Sequence, residues 1–144
     1  MEKFSIIIRP FKIKDQFEVV KLWEICKLVM PWNDPYKDIS RKMNFLPELF
    51  LVGIIEGKVN ASVMGGYEGH RGWINYLAVN PKFQNNGIGK QMLEEIESRL
   101  KLLNCPKVNL QIRQGNEKVF SFYKKLGYID DKILSMGKRL EKDN

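Results

Sequence analysis

The chain has 144 residues, 44% hydrophobic and 28% charged, the balance of one folded domain (1–144) with its own core. No apolar run is long enough to cross a membrane, and Cys26 and Cys105 are too few and too distant for a disulfide framework or a zinc motif. The net charge of +7 invites a polyanionic partner, yet no Lys/Arg block exceeds two residues, which argues against nucleic acid and for a solvated basic face. Most of the excess lies in residues 73–144, with 13 Lys/Arg against 8 Asp/Glu.

In chain order, "FSIIIRP" (residues 4–10) reads as a first strand stopped by Pro10. From near Asp15, the residues Phe17, Val20, Leu22, Trp23, Cys26 and Leu28 make one face of a helix. Asp34 before Pro35 has the form of an N-cap with proline at the first helical position, predicting a short second helix. "LFLVGII" (49–55) has no polar residue, as in a central strand buried on both faces. "EGK" turns it into "VNASVMGGY" (59–67), a hairpin in which Gly65-Gly66 marks a bulge or a close backbone approach. "EGHRG" turns again into "WINYLAV" (73–79), which ends at Asn80-Pro81. An amphipathic helix follows, with Ile88, Met92, Leu93, Ile96, Leu100 and Leu103 at its period. "KVNLQIR" (107–113) alternates as a strand should. "NEKVFSFYKKLGY" (116–128) is a helix with Val119, Phe122, Tyr123 and Leu126 inward and Gly127 at its end, and "KILSMGKRL" (132–140) reads as a last strand. The fold class is α/β (α+β), a mixed sheet with helices on both sides. The opening "MEKFSIIIRP" lacks a leader's apolar core and cleavage site, so the expected location is cytoplasmic.

"NPKFQNNGIGKQML" (80–93) joins a strand to a helix through a glycine turn. Free N–H groups at a helix N-terminus attract an anion, and Gly87 and Gly89 let it approach without a Cβ in the way. A plain turn before an amphipathic helix fits the spacing equally well. The Walker A pattern fails, because Gln84 replaces its first glycine and Gln91 its hydroxyl residue. The dinucleotide fingerprint fails at Met92, where it needs a third glycine. What remains is a cradle for a pyrophosphate carried on something larger.

"LAVNPKFQNNGIGKQML" resembles the signature of the GNAT superfamily of acyl-CoA-dependent N-acetyltransferases, with Gln84, Gly87 and Gly89 at its defining positions. A second family motif matches Asn116, Tyr123 and Gly127-Tyr128, with Phe120 where the family usually has alanine. "PWNDP", "GGYEGHRG" and "LSMGKRL" are similar to the small bacterial YpeA-type acetyltransferases. The resemblance implies a mostly antiparallel mixed sheet of six to seven strands flanked by about four helices, with strands 4 and 5 splayed. It implies acetyl-CoA as co-substrate, an amine acceptor, direct acetyl transfer and no metal. Backbone groups of Leu77, Ala78 and Val79 would pair with the pantetheine arm, and the Leu77 N–H would polarise the thioester carbonyl. Gln84, Asn85, Asn86, Gly87, Ile88, Gly89 and Lys90 would surround the pyrophosphate, and Asn116 would hold the arm. Tyr123 would protonate the leaving thiolate; periodicity alone reads it as a core tyrosine.

The base stays open. Gln111 stands where some relatives carry a glutamate, and Glu68, His70 and Asp34 are the other candidates, as is a water chain. Trp32 reads equally as a wall of the acceptor site or as a core aromatic. With no carboxylate at position 111, an acyl-CoA sensor with little turnover is the alternative to an enzyme. "FSIII" and "ILSMGKRL" are candidate edges for a homodimer.

Overall fold

The computed structural model describes residues 4–144; Met1–Lys3 lie outside the described residues. The strands are β1 (Ile7–Pro10), β2 (Phe50–Ile55), β3 (Lys58–Tyr67), β4 (Gly72–Val79) and β5 (Val108–Leu110). The helices are α1 (Gln16–Ile25), α2 (Pro35–Met43), α3 (Ile88–Leu102) and α4 (Glu117–Lys125). The sheet runs β1-β2-β3-β4-β5, antiparallel except for the parallel pair β4/β5.

The apolar run of β2 is buried because both faces of the sheet are covered. Phe50 and Val52 pack with Val20, Trp23 and Ile39 of α1 and α2. Leu51 and Ile55 pack with Met92, Leu93 and Ile96 of α3. Gly65 answers the question its doublet raised: a Cβ there would lie 2.6 Å from two side-chain carbons of Ile96, so the glycine admits α3. The bulge lies elsewhere. Met64 pairs with Asn75 and Ser62 with Ala78, so β4 spends three steps where β3 spends two.

The cap predicted at Asp34 forms, and Asn116 caps α4. The Asp34 carboxylate accepts the amides of Tyr36 and Lys37 at 2.9 and 3.4 Å, and the Asn116 carbonyl accepts that of Val119 at 3.3 Å. Asp15 precedes α1, but its carboxylate is taken by the Arg9 guanidinium at 2.7 and 2.9 Å and by the Lys12 amide.

Five expectations need correction. The sheet has five strands among the described residues, not six or seven. Residues 132–140 form no strand: Ile133, Leu134 and Met136 stay exposed, and Gln111 and Lys107 hold this part of the chain by side-chain bonds to Ser135 and Asp131. A strand needs a neighbour's backbone in register, and β5 supplies only three residues. "KVNLQIR" shortens to Val108–Leu110 because its pairing with β4 ends at Ile74, and "FSIIIRP" pairs with β2 only from Ile7. Phe17, expected inward, is 69% exposed; Val19 takes its place in the core. Among the described residues no helix is long and apolar enough to cross a membrane.

Candidate active site

β4 and β5 pair only at Gly72–Val108, Trp73–Asn109 and Ile74–Leu110. Beyond Ile74, β4 continues to Val79 without β5 beside it, which is the splay expected of strands 4 and 5. The bulge marks the parting. Tyr76 lies within it at φ 52°, a left-handed conformation that an aromatic residue rarely adopts. Its carbonyl accepts the Ser62 hydroxyl at 2.8 Å, and its ring stacks on Trp23 at 3.7 Å between centroids. Trp23 Nε1 donates in turn to Ser62 at 2.9 Å. One consequence is that Ile74 packs toward α3 while Ala78, four residues on, packs toward α1.

Strand alternation narrows the role expected of the Leu77–Val79 backbone. Ala78 pairs with Ser62, and the Asn80 amide donates to the Asn60 carbonyl, so the peptide groups of Ala78 turn toward β3. Val79 faces the gap, and its carbonyl already accepts Gln84 Nε2 at 2.9 Å and the Cys26 thiol at 3.3 Å. Gln84 therefore ties the loop to the strand end. Leu77 follows Tyr76 beyond the last β4–β5 pair.

The chain after Val79 makes a short turn at Pro81–Phe83, then reverses through Asn85 at φ 67° and Gly87 at φ 77°. Asn86 folds this loop by donating to the carbonyls of Phe83 and Gln84. The helical ladder of α3 starts with Gln91 N–H to the Gly87 carbonyl, leaving the amides of Ile88, Gly89 and Lys90 ahead of it. α2 and α4 spend a side chain on such amides; α3 has no side-chain cap and no acid in its first turn. A Cβ on Gly87 would meet nothing within 4 Å, so no neighbour crowds the residue that precedes these amides. Gly89 serves another purpose: its Cβ would lie 3.1 Å from the Phe122 ring, so it lets α4 pack against α3.

Tyr123 is 8% exposed, and burial pushes its hydroxyl up to about 12, so it stays protonated at neutral pH. Among the described residues that hydroxyl has no hydrogen-bond partner. Tyr123 lines a cavity of about 1060 Å³ with Trp73, Leu110 and Phe120. It is thus a core residue by packing and an unspent donor by chemistry.

Two candidate bases fall away on position. Glu68 and His70 lie in the turn before β4, on the order of 15–20 Å along the strand from Leu77. Glu68 there accepts the amides of His70 and Arg71. Asp34 is committed to its cap. Trp32 is 48% exposed with the Arg113 guanidinium 5.5 Å over its ring, so it is not a core aromatic.

A network that the sequence reading missed lies on the α2 side of β4. The Tyr76 hydroxyl donates to Asp38 at 2.6 Å, and Asp38 is 3.2 Å from Arg41. Arg41 bonds Asp143, near the C-terminus, at 2.7 Å. Asp143 also accepts the Asp34 amide at 2.8 Å, and its side chain is 1% exposed. The Arg41 bond and then that amide hold its carboxyl down to about 2. No local pattern signals the Asp143 contacts, which join residues more than 100 positions apart.

The sequence model of the acetyltransferase (GNAT) family matches residues 17–128. The chain is 47% identical over 137 residues to acetyltransferase SG1711 of Sodalis glossinidius (strain morsitans), covering 94% of this chain and 96% of that one. Its fold is similar to glucosamine-6-phosphate N-acetyltransferase from Arabidopsis thaliana (TM-score 0.68, 24% identity, 95% and 99% of the two chains). It is similar as well to a chain of the NatC complex bound to Gag peptide and CoA (TM-score 0.67, 20% identity, 87% and 85%).

Proposed function

Because the chain belongs to the GNAT family of acetyltransferases, we propose that it moves the acetyl group of acetyl-CoA to a primary amine by direct attack. The observation that carries this reading is the uncapped N-terminus of α3, opening beside the gap where β4 leaves β5. The amides of Ile88, Gly89 and Lys90 hold the pyrophosphate, with Lys82 and Lys90 supplying nearby positive charge. The backbone of Leu77 and the N–H of Val79 face the pantetheine arm, and the Leu77 N–H steadies the thioester oxygen as charge develops on it. Asn116, whose carbonyl caps α4, has its amide hydrogens left for the same arm. Tyr123 donates its hydroxyl hydrogen toward the sulfur as the thiolate leaves.

The first test is thermal unfolding with acetyl-CoA, coenzyme A and ATP. At about a hundredfold above Kd, ligand adds roughly 2.7 kcal/mol and raises the midpoint by several degrees. A shift with both coenzymes and none with ATP is expected; no shift at all overturns the reading. Thiol release is then followed with glucosamine 6-phosphate and with a peptide bearing a free N-terminus, amines chosen from the relatives' names. Tyr123→Phe is expected to lower turnover about a hundredfold while leaving the acetyl-CoA shift intact. Unchanged turnover removes Tyr123 from the mechanism.

A further inference from the structure

The Tyr76–Asp38 pair has no part in holding the acyl donor, yet it is attached to the point where the site opens. Tyr76 is in the bulge, one residue before Leu77. Its ring lies flat on buried Trp23, so the aromatic plane is fixed, and its hydroxyl hydrogen is committed to Asp38 Oδ2. A phenol has one hydrogen to give and lone pairs to receive. With the hydrogen committed, the oxygen presents lone pairs alone and receives hydrogen bonds only.

The alignment comes from three directions. Asp38 is on the first turn of α2, where its other oxygen meets Arg41 at 3.2 Å. Arg41 is held by Asp143 at 2.7 Å, and Arg139 approaches the same Asp143 oxygen at 3.6 Å. The C-terminal segment thereby fixes the guanidinium that fixes the carboxylate. Beside Arg41 lies a cavity of about 620 Å³ lined by Trp32, Lys138, Arg139, Leu140 and Glu141. Tyr76 itself packs with the α1 and α2 cluster, on the opposite side of the sheet from Tyr123, which packs with α3.

We propose that the Tyr76 hydroxyl oxygen, aligned by Asp38, receives an N–H of the acceptor amine, and that the cavity beside Arg41 admits that amine. The inference rests on the acetyltransferase reading and adds the acceptor side to it. In the transfer the C–N bond forms, the thioester C–S bond breaks, the Tyr123 hydroxyl hydrogen goes to sulfur, and one N–H hydrogen of the neutral amine replaces it on Tyr123; Tyr76 receives a hydrogen bond and no proton. An amine has an N–H to offer this oxygen, whereas a thioether or tertiary amine has none. Asp38, Arg41 and Asp143 act through Tyr76 and are positioning residues.

Tyr76→Phe keeps the stack on Trp23 and removes only the oxygen. With whichever amine of the thiol-release assay turns over, kcat/KM for the amine is expected to fall about tenfold to a hundredfold, with KM for acetyl-CoA unchanged. Asp38→Asn is expected to share the amine-side loss, and Asp38→Glu to recover part of it. A wild-type kcat/KM for Tyr76→Phe overturns the proposal, as does equal damage to acetyl-CoA and amine, which would mark a structural role. If neither amine turns over, protein carrying Cζ-labelled tyrosine is titrated with cadaverine in saturating coenzyme A. A shift of the Tyr76 resonance, identified by its loss in Tyr76→Phe, supports the proposal, and no shift overturns it. Failure of the donor reading is separate, because it appears as no thermal shift with acetyl-CoA.

Discussion

Replacing Gly87 by alanine separates the cradle from the turn it is built on. Gly87 is at φ 77° and ψ 9°, and a Cβ there would touch nothing within 4 Å. The cost to folding is therefore backbone strain alone, about 1–2 kcal/mol, offset by about 0.4–1 kcal/mol from the stiffer unfolded chain. A net loss of about 1 kcal/mol lowers Tm by roughly 2–4 °C. Gly57, in the β2–β3 turn, is a matched control: its φ is also 77° and its Cβ would also meet nothing. Both variants should lose the same few degrees without ligand. Only Gly87→Ala puts a methyl in front of the α3 amides. Weakening acetyl-CoA tenfold there reduces the stabilisation, at a ligand level set to about a hundred times the wild-type Kd, from about 2.7 to about 1.4 kcal/mol. Gly57→Ala should keep the full shift. The assay is thermal unfolding of the three proteins with and without acetyl-CoA. Equal ligand shifts in the two variants would refute the reasoning, because the amides before Ile88 would then not be the anion site.

Gly65→Ala should destabilise by about 1–3 kcal/mol, read as a lower midpoint in urea, because its Cβ would lie 2.6 Å from fully buried Ile96. Adding Ile96→Val should recover part of that loss if the clash is the cause. Asp143 has a folded pKa of about 2, below its ordinary value near ~3.9, so its ion pair with Arg41 stabilises above about pH 4 and fades as pH falls toward 2. Asp143→Asn should flatten the fall of Tm between pH 4 and 2, and an unchanged slope would show that this carboxylate is not held by its partners.

Much of the fold and half of the site were legible in the chain because their causes are local. Asp34-Pro35 and Asn116 cap helices through bonds spanning two or three residues. The Gly87 turn, the helix after it and the apolar run of β2 follow from conformational freedom and periodicity within one segment. Those features carry the proposed acyl-donor side of the site without reference to any distant contact. The Tyr76 bulge, the early end of β5 and the unpaired course of residues 132–140 depend on which backbone lies beside which, a matter of register that no window of sequence contains. The proposed acceptor side depends on it most. Tyr76 meets Asp38 across 38 positions, and the Asp34 amide meets Asp143 across 109. Nothing in the identity of a tyrosine or an aspartate names a distant partner; only the packing of α1 and α2 on the sheet brings these groups within hydrogen-bond reach.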